Sequence, residues 1–439
     1  MKQRLFVPVL VAVLGVGAGT ARAEEFTLSQ LYSRAIEHSE ELRISVEAVR
    51  QSEQQERRAI STVFPQLTLS GDYTRSPEKT RALGSSTTIL QPKESYGGEA
   101  RVEQSLYAGG KNGAGRRIAQ QETVAAEKDV RLAREKLLLH VAEVYYTVLR
   151  AQKTAEIQAR NVERLKEHRR LSELRYKVGE VTESILLRAE AELAGANAEL
   201  VARERDVAVA KRELELLAGL TGGVEIVEPP VPHVPEEPMA QLREAAQTNR
   251  EEAQRSRVQE RIAEERVAFA RGNFFPSLTL EGGVSNRRQD PQSSFFIEQN
   301  WFVGGKIEFP IFEGGLRVAE WRQAKSRFEQ GRLETAKLSK QIDLDVTRAS
   351  LTLEAVTHAL DSRRDQLRFA QKNYEMVSKQ FTFGLATNLD VLDANQVLIE
   401  AERDVIAATY DRHLAILDLQ RSAGVFLAEA LKDAPGDPT

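Results

Sequence analysis

Hydrophobic and polar residues alternate with a period of two in four segments, each about nine to eleven residues long, the length of a tilted strand that crosses a bilayer. Successive side chains of a β-strand point to opposite faces, so the alternation predicts strands with one apolar and one polar face. The predicted apolar face carries Leu67, Leu69, Gly71, Tyr73, Val102, Gln104, Leu106, Leu278, Leu280, Gly282, Val284, Ile307, Phe309 and Ile311.

Charged residues lie on the opposite face of the second strand in each predicted hairpin. They are Arg101, Glu103, Lys306 and Glu308, and we expect them to line a water-filled barrel interior. The alternative is a half-buried sheet of a soluble protein. Four strands cannot close a barrel, and open sheet edges do not occur in hydrocarbon. The pattern therefore predicts that other copies of the chain pair with both edges.

A second hydrophobic period, alternating between four and three residues, runs through two long stretches. No proline lies between Pro92 and Pro229 or between Pro310 and Pro435, so helix is permitted throughout. The spacing predicts helices that pack side by side as a coiled coil. The predicted seams are Leu137, Val141, Val144, Val148, Ala151 and Ala155, then Ile342, Val346, Ala349, Leu353, Val356 and Leu360.

The first of these helices is expected to run from Lys111 to Tyr176. At 1.5 Å per residue it would be a rod of about 100 Å, which a single globular domain cannot contain. A cytosolic rod or filament would show the same heptads. The amphipathic strands and the export signal described below argue against that alternative.

The chain repeats its landmarks in the same order. Phe64-Pro65 returns as Phe275-Pro276, 211 positions later, and the glycines at 109, 110 and 179 return 205 positions later at 314, 315 and 384. A period this long predicts duplication of half a fold. The predicted organisation is a first repeat at 24–221 with a β-hairpin at 66–107, a proline-rich extended linker at 222–238, a second repeat at 239–424 with a β-hairpin at 277–312, and a tail at 425–439. Each repeat is expected to contain a long helical hairpin, with tips near Gly179 and Gly384.

The amino terminus has the features of a secretory signal. Lys2 and Arg4 precede an apolar run that ends at Val16, and Ala21-Arg22-Ala23 matches a cleavage site. Residues 1–23 are therefore predicted to be removed on export. A membrane anchor is the alternative, although the run is short for a bilayer span. The chain has no cysteine, which excludes disulfides, thiol catalysis and a lipid-modified cysteine.

Charge and composition narrow the class of protein further. The net charge of −4 becomes −7 when the signal takes with it three basic residues and no acid, so the basic surplus typical of nucleic-acid binding is absent. Only 6% of the residues are aromatic and 29% are charged. This balance suits long solvated helices better than a thick globular core.

No pattern of catalytic residues is present. The six histidines are scattered, and neither Gly-Gly pair continues into a phosphate-binding or dinucleotide-binding motif. We therefore predict passage or binding rather than catalysis, with no cofactor and no metal.

One polar cluster follows the second glycine tip. Thr387 or Asn388 can cap a new helix, which places Asp390 and Asp393 one turn apart on the same face. Acids in a first helical turn are common because they complement the helix dipole. In a ring of identical chains, however, the same pair becomes two stacked circles of carboxylates.

These features together resemble the TolC family of outer membrane efflux proteins, over essentially the whole chain after the signal. The resemblance rests on the duplicated Phe-Pro-x-Leu strand entries, the Gly-Gly strand exits and the tip sequences at 175–182 and 381–387. The segment 384–394, Gly-Leu-Ala-Thr-Asn-Leu-Asp-Val-Leu-Asp-Ala, matches the second-tip signature of the family over its full length.

The resemblance implies an α+β membrane protein of the outer membrane that extends into the periplasm. Three chains would form a 12-stranded transmembrane barrel continuous with a long α-helical coiled-coil tunnel. It would be the exit duct of a tripartite efflux pump or type I secretion system for small molecules, metal ions or proteins. The implied partners are a periplasmic membrane fusion (adaptor) protein, the inner membrane pump, and outer membrane lipid.

The resemblance also assigns residues to sites. Asp390 and Asp393 match the aspartates that ring the periplasmic entrance, and the adaptor is expected at the tips, on Tyr176, Val178, Gly179, Val181, Thr182, Phe381, Gly384, Leu385 and Thr387. In well-studied members polar bonds between neighbouring coils hold the entrance closed. The matching positions Ile185, Phe381 and Ala386 are apolar, so the sequence does not predict such a latch. The alternative function is that of a secreted or periplasmic coiled-coil structural or adaptor protein.

Overall fold

The computed structural model describes residues 25–83, 86–292 and 296–432 of the 439. The predicted signal at 1–23 lies outside the described residues. Within them, no helix is both long enough and apolar enough to cross a membrane.

Nine α-helices account for most of the described chain. The two longest, α3 and α7, contain 67 residues each. The helices are α1 (Leu28–His38), α2 (Glu40–Ser61), α3 (Lys111–Lys177), α4 (Glu183–Ala218), α5 (Met239–Asn249), α6 (Glu251–Arg271), α7 (Leu316–Thr382), α8 (Asn388–Ser422) and α9 (Phe426–Leu431). The observed α3 confirms the predicted long helix to within a residue at each end.

Eight strands occur in the described residues, in three sheets. They are β1 (Glu25–Phe26), β2 (Gln66–Arg75), β3 (Lys79–Leu83), β4 (Ser86–Gln91), β5 (Glu94–Ala108), β6 (Glu225–Ile226), β7 (Ser277–Asp290) and β8 (Gln299–Glu308). The main sheet has the antiparallel order β2-β5-β7-β8, β3 pairs with β4, and β1 pairs with β6 in parallel.

The register of the main sheet keeps the two predicted faces separate across all four strands. One row of paired residues is Leu67, Val102, Gly282 and Val303. The adjacent row is Gln66, Glu103, Glu281 and Gly304. Because residues that pair directly point to the same face, the sheet has one apolar and one polar side.

The hairpins differ from the prediction in two respects. The second ends earlier than the predicted 277–312, because β8 stops at Glu308, two residues before Pro310, which has no N–H to donate to a sheet. Phe309 and Ile311 therefore lie beyond the strand. In the first hairpin an irregularity between Ser105 and Tyr107 displaces Leu106 from the regular register, and the pair β3–β4, which the alternation did not predict, extends the turn.

The long helices are delimited by glycines with left-handed backbone conformations. Gly110 and Gly315, with φ of 82° and 88°, precede α3 and α7, whereas Gly179 and Gly384, with φ of 78° and 76°, follow them. Residues with a Cβ are strained in this region. Each tip reverses the chain within five residues, so α3 packs along α4 and α7 packs along α8.

The helices form one layer that runs from the sheet to the tips. Near the sheet the neighbours are α2, α3, α6 and α7, and towards the tips they are α4, α3, α8 and α7. The predicted seam on α7 is confirmed, since Ile342, Val346, Ala349, Leu353 and Leu360 are buried.

The middle of α3 is buried over a wider face than its predicted seam. Tyr145 and Tyr146 are both fully buried there, together with Tyr410 and Phe426. These residues are covered by α1, the β1–β6 pair, the extended residues 227–238 and α9, which we call the shell. The predicted linker thus contains β6, and the predicted tail at 425–439 begins with a helix whose Phe426 anchors it in the core.

Candidate functional site at the helical tips

The two helical tips lie beside each other and are joined through Phe381. Arg175 of α3 donates a hydrogen bond of 3.1 Å to the Phe381 carbonyl, and its guanidinium lies 5.0 Å from the centre of the Phe381 ring. The ring of His168 lies on the same phenylalanine, with centroids 5.0 Å apart. Phe381 is only 3% exposed, so it joins the tips and does not belong to their outer surface, contrary to its predicted docking role.

Large apolar side chains are exposed on the outer surface of the tips. Val178 is 70% exposed, and Phe383 and Leu385 are 79% and 80% exposed. Tyr176, Gly179, Thr182, Gly384 and Thr387 are also exposed, and Val181 is partly exposed. The predicted docking residues other than Phe381 therefore form a solvent-facing surface, to which Phe383 also contributes. Exposed apolar patches of this kind are typical of interaction surfaces.

Asp390 forms the N-terminal cap of α8 with Thr387. Its carboxylate accepts hydrogen bonds of 2.7 Å from both the backbone N–H and the hydroxyl of Thr387, and the Thr387 oxygen accepts from the Asp390 N–H. These bonds lower the pKa of Asp390, with the side-chain bond as the larger cause. Asp393 is exposed one turn further on. In one chain, Asp390 thus has the ordinary role of a helix-start residue.

A buried polar ladder, which the patterns described above did not predict, connects α3 to α8 behind the tips. The imidazole Nε2 of His168 is hydrogen-bonded to Asn388 Oδ1, and Asn395 donates to Asn161 at 2.8 Å. Arg164, between these rungs, donates to Asn395 at 2.9 Å and pairs with Glu402 at 3.3 Å. The two hairpins of the chain are therefore held together by polar bonds at positions other than those expected from the family.

The spacing of the ladder was visible in the sequence. Asn161 and His168 are seven residues apart, as are Asn388 and Asn395, so each pair repeats with the heptad. Polar residues at heptad seam positions fix the register of paired helices. Burial lowers the pKa of His168, and its hydrogen bond to Asn388 opposes this effect only in part.

The charged residues predicted for the barrel interior lie on the polar face of the main sheet. Arg101 pairs with Glu99 at 2.8 Å and with Glu103 at 3.6 Å, while Lys306 pairs with Glu308 at 3.0 Å. In the register of the sheet, Glu103 of β5 lies directly opposite Glu281 of β7. Within the described residues, no group of three or more His, Asp or Glu side chains could hold a metal ion.

Comparison with known proteins identifies relatives along nearly the whole chain. A TolC outer membrane protein of Vibrio cholerae is 23% identical over 98% of this chain and 98% of its own length. The outer membrane efflux protein BepC of Brucella suis is 24% identical over 91% of this chain and 88% of its own. The solved structure of CusC, which describes folding and transmembrane channel formation, superposes with a TM-score of 0.78 over 90% of this chain and 92% of that one, at 20% identity.

The family model of the outer membrane efflux proteins matches the chain twice. The matched segments are 31–220 and 242–425, which contain both long helical hairpins, all four strands of the main sheet and both tips. The relatives are channel proteins rather than enzymes. The chain therefore belongs to the outer membrane efflux protein family, the outer membrane channels of efflux and type I secretion systems.

Proposed function

We propose that three copies of this outer membrane channel form a 12-stranded barrel continuous with a helical tunnel. The observation that carries the proposal is a four-stranded sheet whose apolar face is largely exposed. Leu69, Trp301, Val303 and Ile307 on that face are each at least 72% exposed, as suits contact with lipid. In the described chain β2 and β8 are the sheet edges, and an even number of antiparallel strands lets β8 of one chain pair antiparallel with β2 of the next.

The helices also have edges that suit neighbouring copies. Four apolar residues of α4 are 56% to 79% exposed, namely Leu187, Val201, Val209 and Leu216. They are separated by 14, 8 and 7 residues, which is close to a heptad spacing. On α7, Leu344 and Leu351 are exposed seven residues apart, and so are Phe369 and Met376. Such stripes support coiled-coil packing of α7 in one chain against α4 in the next.

Three chains would bring six carboxylates, from Asp390 and Asp393, to the periplasmic entrance. Crowded like charges raise one another's pKa values and attract cations. The Thr387 cap acts on Asp390 in the opposite direction, and therefore helps to keep the ring charged. The exposed apolar tips would bind the adaptor protein, which links the channel to an inner membrane pump.

We also propose that the two halves arose by duplication, with boundaries at 24–221 and 239–424. The equal lengths of α3 and α7 and the matching glycine positions support this division.

The cargo would be small molecules, metal ions or proteins.

Engineered cysteines test the assembly because the natural chain has none. One cysteine is placed on β2, at Thr68, and a second is scanned along β8 from Asn300 to Glu308. Within one sheet these strands are three spacings apart, about 14 Å, too far for a disulfide. Oxidation of purified protein should therefore link different chains, and the covalent ladder should stop at three.

The matched control carries the Thr68→Cys substitution alone. A ladder that continues beyond three, or a membrane-inserted monomer with full β-content and no crosslink at any scanned position, would contradict the closed barrel.

A further inference from the structure

A large groove lies between α3, α7 and α8, about midway along the helices. Its volume is about 880 Å³, within the range of pockets that hold drug-sized molecules. Its floor is aliphatic, formed by Leu132, Leu139, Val356, Leu414 and Ala415, and its rim carries Glu143, Asp411 and Asp418. We call it the acidic groove.

The groove opens on the side of the helical layer opposite the shell. Gln420 and His413 of α8 are buried on the shell side, where Gln420 donates to the His233 carbonyl at 2.7 Å. Asp411 lies two residues before His413, and Asp418 lies two residues before Gln420. Two residues correspond to about 200° around a helix, so both aspartates lie on the opposite side of α8. On α3 the same offset separates Glu143 in the groove from the buried Tyr145.

The side opposite the shell would be the inside of the proposed tunnel. Twelve helices of about 10 Å diameter make a ring of about 19 Å radius, with a lumen of about 14 Å radius. Three shells, each containing helices about 10 Å thick, would block such a lumen. They must therefore lie outside, and the acidic groove faces the passage.

The basic residues of the acidic groove are already paired, whereas part of its negative charge is not. The Lys136 ammonium group lies 3.6 Å from the Glu41 carboxylate. The Arg421 guanidinium forms ion pairs with Glu135 at 3.0 Å and with Glu252 at 3.3 Å. In the described part of the chain, Asp418 has no ion-pair partner and the only one for Glu143 is the imidazole of His140, at 3.6 Å.

We propose, on the basis of the tunnel described under Proposed function, that the acidic groove binds amphipathic organic cations during their passage. The aliphatic floor would bury the apolar body of such a molecule, and Asp418 and Glu143 would balance its positive charge. An anion of the same shape meets an uncompensated negative rim and is excluded. The groove therefore specifies organic cations as a class of cargo.

Ethidium, a fluorescent aromatic cation, tests this inference with purified full-length protein in a non-ionic detergent. Fluorescence titration should saturate at one ethidium per chain. The double variant Glu143→Gln, Asp418→Asn should weaken binding about fivefold to tenfold, the effect of removing two exposed charges. Both positions are exposed, and circular dichroism will verify that the fold is retained.

Two controls remove the same charge elsewhere. Glu204→Gln with Glu354→Gln, at exposed positions outside the groove, and Asp390→Asn with Asp393→Asn at the entrance should both bind ethidium as the natural protein does. The anionic dye anilinonaphthalene sulfonate should not compete.

Equal ethidium affinity in the natural protein and the groove variant would overturn the inference, as would equal weakening in the Glu204 and Glu354 control. The acidic groove is formed within a single chain, so this result is independent of the cysteine crosslinks. Failure of the trimer and failure of the cation site are thus distinguishable.

Discussion

At the scale of single residues, Phe381 and Phe383 show how two neighbouring side chains of the same type take different roles. Phe381 is buried between His168 and Arg175, whereas Phe383 is 79% exposed on the outer surface of the tip. The first stabilises the contact between the two hairpins. The second is available to a partner.

Substitution of Phe381 with alanine should loosen the second tip from α3. Removing a buried phenylalanine costs about 3 to 5 kcal/mol, and the Arg175 guanidinium would lose its aromatic contact. We expect a lower urea midpoint for the purified protein and a higher resting conductance in planar bilayers. Phe383→Ala is the matched control and should change neither quantity, so an equal effect of both substitutions would contradict the anchoring role of Phe381.

His168 should make the contact between α3 and α8 sensitive to pH. Burial lowers its pKa below the usual value of about 6.5. His168 therefore takes up a proton more readily when α3 and α8 are apart than when they are in contact. The contact is therefore at full strength above about pH 6.5 and weakens as the pH falls below it.

We expect the resting conductance to rise between pH 7.5 and pH 5.5 in the natural protein. His168→Gln cannot titrate and should flatten this dependence, whereas His358→Gln, at an exposed position on α7, should preserve it. An unchanged pH profile in the His168 variant would show that this residue does not cause the pH dependence of the conductance.

At the scale of elements, the tips combine a rigid inner contact with an apolar outer surface. The polar ladder and Phe381 hold α3, α7 and α8 together within one chain. Gly179 and Gly384 reverse the chain so tightly that Val178 and Leu385 project into solvent. We therefore expect a partner to bind the tips without rearrangement of the helices behind them.

A charge on this outer surface should prevent docking without preventing assembly. Leu385→Glu places a carboxylate in the apolar surface, where an adaptor would have to desolvate it. We expect loss of efflux and of crosslinking to the adaptor in cells, at normal abundance and with normal trimer formation. Val231→Glu, in the extended linker at 55% exposure, is the control and should behave as the natural protein does. Normal efflux by the Leu385 variant would place the docking surface elsewhere.

At the scale of the whole molecule, the properties of the entrance depend on the number of copies. In one chain Asp390 caps a helix and Asp393 is solvent-exposed. In a proposed trimer the six carboxylates share one narrow opening, where their charges act together and low local dielectric strengthens their effect on passing ions.

Neutralising both aspartates should reveal this collective effect. Asp390→Asn with Asp393→Asn should reduce cation selectivity and block by multivalent cations added on the periplasmic side, measured in planar bilayers. The barrel should be unchanged, as judged by heat-modified electrophoretic mobility. The groove variant Glu143→Gln, Asp418→Asn removes the same charge elsewhere and should retain multivalent block. Unchanged selectivity and block in the aspartate variant would leave these residues with their capping role alone.

Local patterns in the sequence were sufficient to predict the long helices and the four strands of the main sheet. Strand faces follow from alternation and long helices from the heptad and the absence of proline, because both depend on residues close together in the chain. The glycine tips and the capped start of α8 are local for the same reason. The end of β8 was predicted too late because the apolar alternation continues through Pro310 although the hydrogen-bonding pattern does not.

Only the tertiary structure decided which residues meet across the two halves. His168 and Asn388 are 220 positions apart, and the acidic groove joins side chains of α3 with side chains of α8. The heptad marks a seam on each helix but does not name the helix that packs against it, since any apolar stripe fits any other of similar spacing. Sequence thus determined the faces of the elements, and packing determined which faces were buried as pairs and which were left open to a passage or a partner.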